Sequence, residues 1–378
     1  MIVDLPSTTT ADISKRLIRL RADIGSMALS RVLTLIVVVD ESEADAAIDT
    51  ANDASRQHPC RIIVVVTGNK RGAARLDGQI RVGGDAGASE VVVLRLFGPL
   101  ASHGRAVVTP LLLADSPIVA WWPSNGPRNP SQDPIGTMAQ RRVTDAARST
   151  STPRTVLKRL ADSYADGDGD LAWSRVTLWR AVLAAALDQP PFESVTAATV
   201  VGAADSPSGE LLAAWLAARL RCPVTLVRSR NRTGITSVRL ERASGTVDLV
   251  RPQDGETATL SQPGQPDRTI ALAHRGDAEC LADELRRLDP DEVYHEALTV
   301  GLRKVTVSRH TASEAVRSGR APSVAEAQRT AQRLRRAARA SGSSAMVEAQ
   351  PMPPKADDPT RVRKAAAAKL ARAQEDRS

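Results

Sequence analysis

The sequence predicts an α/β protein with two α/β domains, 1–150 and 151–303, and a basic, mostly disordered tail over 304–378. Three observations carry this expectation. Short β-branched apolar runs alternate with helix-period segments through the first domain. A second strand–helix–strand unit follows, then four segments of alternating apolar and polar residues. Beyond about Lys304, Ala, Ser, Arg and Pro dominate and large apolar residues thin out.

The first helix follows a cap at Thr8–Thr10, with Ile13, Leu17, Leu20 and Ile24 at helical spacing. Val32–Val39 and Arg61–Val66 read as strands covered on both faces. Between them Glu41–Gln57 is a small-residue helix, so the unit is a parallel crossover. Gln79–Val82 is a short edge strand, and Gly83–Gly87 a hairpin loop rather than a phosphate loop. Val91–Phe97 and Ile118–Trp122 complete a mostly parallel or mixed sheet. The proline-rich loop Pro123–Pro134 leaves the carboxyl end of the last strand, where open α/β sheets usually hold their sites.

In the second domain, Thr155–Tyr164 and Leu171–Leu187 read as helices, with a turn at Gly167–Asp170. Thr196–Val201, helix Ser208–Leu220 and Val224–Val227 form the next unit. Ile235–Leu240, Thr246–Val250, Thr257–Leu260 and Thr269–Leu272 predict an antiparallel meander with flanking helices Asp277–Leu288 and Asp291–Leu302. Ser323–Ala340 has the pattern of a lone basic helix.

Charge separates along the chain. Residues 304–378 hold 16 Lys+Arg against 7 Asp+Glu, whereas 1–303 hold 35 against 36. The overall +8 therefore belongs to the tail. That tail has no aromatic residues to stack bases, so only nonspecific nucleic-acid binding is expected of it. No apolar run is long enough for a membrane span and no secretory leader is visible, which points to the cytoplasm. Cys60, Cys222 and Cys280 are far apart and have no metal spacing, so free thiols are expected.

Catalytic signatures are missing: no GxxxxGK[ST], GxSxG or HExxH, and no clustered metal ligands. No cofactor is expected. Tryptophan is more informative, because only nine residues are aromatic. Trp121 and Trp122 end a strand and should face opposite sides of the sheet. On a continuous helix Trp173 shares a face with Arg180, and Arg175 with Trp179. These six residues are the candidates for binding a partner or scaffolding its contact surface, with core packing the competing explanation. His103 and Arg105 are a weaker candidate for binding an anionic ligand.

The segments RVLTLIVVV (31–39), HPCRIIVV (58–65) and GASEVVVLRLFGPLASHGRAVVTPLLLADSPIVAWWP (87–123) resemble the OpcA family of glucose-6-phosphate dehydrogenase assembly proteins. So do AQRRVTDAA (139–147), DLAWSRVTLWRAVLAAALDQ (170–189), LLAAWLAARLRCPV (211–224) and CLADELRRLDPDEVY (280–294). The resemblance spans most of 1–303 and leaves out the tail. It implies a non-catalytic allosteric activator that binds glucose-6-phosphate dehydrogenase, favours its active oligomer and so supports NADPH production by the pentose phosphate pathway. Two other readings stay open: a sugar-phosphate enzyme or sensor using Arg95, His103, Arg105 and Arg128, and a nucleic-acid-associated protein acting through its tail.

Overall fold

The computed structural model describes residues 1–23, 32–82, 90–229, 233–252 and 255–340. Residues 1–331 form one compact unit containing two sheets. The described part of a second unit, 332–340, is helical.

The first sheet takes strands β1 (Ile2–Leu5), β2 (Leu33–Asp40), β3 (Cys60–Thr67), β4 (Arg75–Arg81), β5 (Glu90–Phe97), β6 (Ile118–Trp121), β7 (Arg141–Thr144) and β8 (Asp168–Asp170). Their order is β1-β4-β5-β3-β2-β6-β7-β8. From β5 to β8 every pairing is parallel, while β4 runs antiparallel to β5 and β1. The β4–β5 pair fits a hairpin, although its expected loop at 83–87 lies outside the described residues.

Side-chain alternation divides this sheet between two cores. Leu35, Val37, Val39, Ile62, Val64 and Trp121 pack beneath α2 (Ala44–Ser55). Ile36, Ile63, Val65 and Trp122 face α1 (Thr10–Asp23) and Val107–Val108 of α3 (Gly104–Val108). The two adjacent tryptophans thus point to opposite faces, as their place in a strand requires.

Helices α4 (Pro153–Asp162), α5 (Leu171–Ser174) and α6 (Thr177–Leu187) lead to the second sheet. This sheet contains β9 (Ala197–Ala203), β10 (Val224–Ser229), β11 (Ile235–Arg242), β12 (Gly245–Val250), β13 (Thr257–Ser261), β14 (Arg268–Ala271) and β15 (Val305–Val307). The expected meander is present as β11–β14, and α7 (Pro207–Arg219) joins parallel β9 and β10. One face of the sheet is covered by α4–α7 and by α9 (Glu292–Glu296), which Asp291 caps through the Tyr294 N–H. A π turn at Ala297–Gly301 continues into α10 (Leu302–Lys304). Gly301 is needed there because a Cβ would sit 2.0 Å from the Ala214 carbonyl oxygen.

The strand expected at the edge over 79–82 is β4, an interior strand paired with both β1 and β5, and the edge strand β1 was not expected. Four further features depart from the expectation. Helix α8 (Asp277–Arg286) places Cys280, Leu281 and Leu285 in the core of the first sheet, beside α2. Its apolar stripe specified burial but not which sheet it would cover. Strands β7 and β8 were not expected, because Arg141, Arg142, Asp168 and Asp170 hide their burial behind charge. A break after Ser174 divides the expected long helix into α5 and α6. Finally, the described residues after 304 are ordered: β15 pairs with β10, and α11 (Ala312–Arg317) and α12 (Val324–Ala340) follow. Residues 341–378 of the expected disordered tail lie outside the described residues.

Candidate functional site

Taken as β2-β3-β5 on one side and β6-β7-β8 on the other, the first sheet has the strand order 3-2-1-4-5-6. In such sheets ligands bind where the order reverses, here beyond the carboxyl ends of β2 and β6. The chain fills that position with acid. Glu41 and Glu43 follow β2 and Asp45 lies in the first turn of α2. Carboxylates suit a helix N-terminus, so they stabilise α2 while repelling a phosphate. Glu41 accepts from Arg95 Nε at 2.9 Å, and Glu43 accepts from the Ser124 hydroxyl. No glycine-rich turn is present after β2 to admit a pyrophosphate.

Polar chemistry instead concentrates beyond β7 and β8. Asp170 is fully buried and accepts from the Thr144 hydroxyl at 2.6 Å and the Ala146 and Ala172 N–H groups at 3.0 and 2.9 Å. Burial, reinforced by the negative charge of Asp145, pushes its pKa up to about 7. Arg175 spans the junction, donating to both Asp145 oxygens at 2.8 and 2.7 Å and to Asp277 at 2.7 Å. Burial works to lower the Arg175 pKa, but hydrogen bonds and charge from these carboxylates raise it. Beneath it, Arg141 donates through Nε to Glu284 at 3.0 Å, and Ser174 donates to the same carboxylate. Trp173 Nε1 donates to Asp291 at 2.8 Å. This network joins the first sheet to α5 and α8.

Beside it lies a cavity of about 300 Å³, bordered by Ser206, Pro207 and Ser208 at the start of α7, and by Val176, Trp179, Ile235 and Arg251. Arg175, Arg275, His274 and Asp205 also reach it. Arg275 is neutralised by Glu279 at 2.7 Å and Asp283 at 2.8 Å. Arg251 is 4% exposed and donates only to carbonyls, Leu272 at 3.1 Å and Ile235 at 3.1 Å, among its described contacts. Its guanidinium lies 5.1 Å from the Trp179 ring centroid, and burial lowers its pKa to about 10.

Trp121, Trp122, Trp173 and Trp179 are all buried, so none of them presents an exposed contact surface. The expected Trp173–Arg180 neighbours meet, with the guanidinium 3.7 Å from the ring centroid. Burial lowers the Arg180 pKa to about 10. Arg175 and Trp179 both line the cavity, and each takes a different partner. His103 Nδ1 lies 2.8 Å from the Pro99 carbonyl, while Arg105 reaches the Thr137 hydroxyl at 3.3 Å. Arg95 is held by Glu41. Asp145, Asp277, Glu284 and Arg251 were not among the expected site residues, since their partners are distant in the chain. The surplus of charge inside otherwise apolar segments was their only signal.

Residues 51–162 match the family model described as the glucose-6-phosphate dehydrogenase subunit N-terminal domain, and 166–298 match the corresponding C-terminal domain. The chain belongs to the OpcA family. In this OpcA chain the two matches meet just before β8, so the first sheet takes its last strand from the C-terminal match. No curated protein matches the chain. Among solved structures, GenD2 from gentamicin A biosynthesis in complex with NAD is similar at 11% identity and a TM-score of 0.31, over 74% of this chain and 95% of that one. A likeness at that level transfers neither fold detail nor activity.

Proposed function

We propose that this protein is a non-catalytic cytoplasmic partner of glucose-6-phosphate dehydrogenase that favours the enzyme's active oligomer and thereby supports NADPH supply. The observation that carries this reading is the pair of adjoining matches to models described as subunit domains of that enzyme. A partner of this kind acts by binding the assembled form more tightly than the dissociated one. A preference of about 1.4 kcal/mol shifts the equilibrium tenfold.

Because the tryptophans are buried, direct contact is better assigned to apolar side chains on the surface. Leu178 of α6 and Phe192 are both exposed, Phe192 by 79%. Aromatic residues, phenylalanine among them, are enriched at the cores of protein interfaces. The test is sedimentation of the dehydrogenase with and without this protein. An increase in its larger oligomer and activity is expected, weakened by Phe192→Asp or Leu178→Asp while the variant chain stays folded. Unchanged mass and activity with the wild-type chain would remove the reading.

A further inference from the structure

The cavity beside α7 has a chemistry that partner binding does not explain. Its apolar floor is Val176, Trp179, Pro207 and Ile235. At its polar end, α7 is a 13-residue helix whose N-terminal amides carry partial positive charge. Pro207 at the first position contributes no N–H, and Ser206 Oγ accepts from the Gly209 N–H at 3.3 Å, leaving the Ser206 hydroxyl proton available to donate. Arg251 supplies the second, independent feature. Its buried charge has no carboxylate partner among the described residues, in contrast to Arg175 and Arg275 in the same wall. A buried unpaired cation is costly, and an anion in the cavity would relieve that cost. Asp205 is the opposing charge, but it is exposed at the rim.

We propose that this cavity binds a small phosphate monoester, with the phosphate between Arg251 and the N-terminus of α7 and the carbon body over Trp179. Helix N-termini and arginine are complementary to phosphate oxygens. The volume lies at the lower end of the roughly 300–1,000 Å³ range for ligand sites, so a phosphate on a short polyol or a single sugar fits better than a dinucleotide. The site lies beyond the carboxyl end of β9, the position equivalent to the acid-filled crevice beyond β2. This proposal does not rest on the dehydrogenase reading.

The test is calorimetric titration and thermal unfolding of the full chain with inorganic phosphate, a hexose phosphate and the neutral hexose. Both phosphates should bind and raise the melting temperature, the hexose phosphate more strongly, while the neutral hexose does nothing. Trp179 fluorescence should respond, with the response lost in Trp179→Phe. Arg251→Met should weaken binding by at least about tenfold. Because Arg251 also ties two carbonyls, this variant risks misfolding, and Asp205→Asn provides a test at an exposed site. Removing that rim charge should tighten binding about two- to fivefold. Failure of both phosphates to bind overturns the proposal. So does equal binding of the neutral hexose, or affinity insensitive to both Asp205→Asn and a folded Arg251→Met.

Discussion

Two crevices in this molecule have the same architectural origin and opposite chemistry. Each follows a parallel strand and precedes a helix, β2 with α2 and β9 with α7. The first is occupied by Glu41, Glu43 and Asp45, with Arg95 and Ser124 bound to them. The second remains a cavity, and the arginine in its wall lacks a carboxylate partner among the described residues. The backbone creates a place for a ligand, and a few side chains at its mouth decide whether one can enter. A strand order shared with dinucleotide-binding sheets therefore says little about this chain until its loops are read.

The most severe test is at the buried Arg141–Glu284 joint. Glu284→Ala would leave Arg141 buried without its counter-charge and should lower unfolding free energy by roughly 3–5 kcal/mol. Urea denaturation measures this, and pairing Glu284→Leu with Arg141→Met should recover most of it. A single unfolding transition would show that both sheets depend on the joint, while two would separate them.

A smaller effect comes from Asp170. Its folded pKa is raised to about 7 from 3.8, so the native state holds a proton that the unfolded state releases. Its contribution is present below pH 4 and is lost as pH rises through 7. Asp170→Asn should flatten this part of the stability–pH curve, measured by chemical denaturation at several pH values. An unchanged slope would remove Asp170 as its source.

The contrast between crevices is sharpened by comparing ligand responses. Phosphate at ten times its dissociation constant should stabilise the protein by about 1.4 kcal/mol. Arg251→Met should cut that gain to about 0.4 kcal/mol or less, whereas Glu43→Gln should leave it intact. A gain that instead tracks Glu43 would move the anion site to the first crevice.

The smallest expected effect concerns the thiols. Burial pushes the Cys280 pKa up to about 12, against the opposing charges of Arg275 and Arg175, and Cys60 is fully buried. Native-state labelling at pH 8 should therefore reach partly exposed Cys222 first, with all three reacting in denaturant. Rapid native labelling of Cys280 would contradict this environment.

Much of the fold was legible wherever burial and apolarity coincided. Val32–Val39, Arg61–Val66 and Val91–Phe97 advertise strands because both faces of the first sheet are covered. The meander was equally clear from its alternation. Legibility failed where ion pairs replace apolar side chains in the interior, as in β7 and β8, or where a strand has only three or four residues, as in β15 and β1. At the site, helical spacing anticipated the stacking of Arg180 on Trp173. It could not show that Glu284 returns to Arg141 from 143 residues away, because tertiary pairing has no local period.

The position of α8 has a consequence for synthesis of the chain. Valine-rich strands of the first sheet leave the ribosome early, yet the helix that covers part of their face ends at Arg286. During the interval that strip has only α2 over it, and an exposed apolar sheet face invites association with other nascent chains. The protein's first-made core is among the last to be closed.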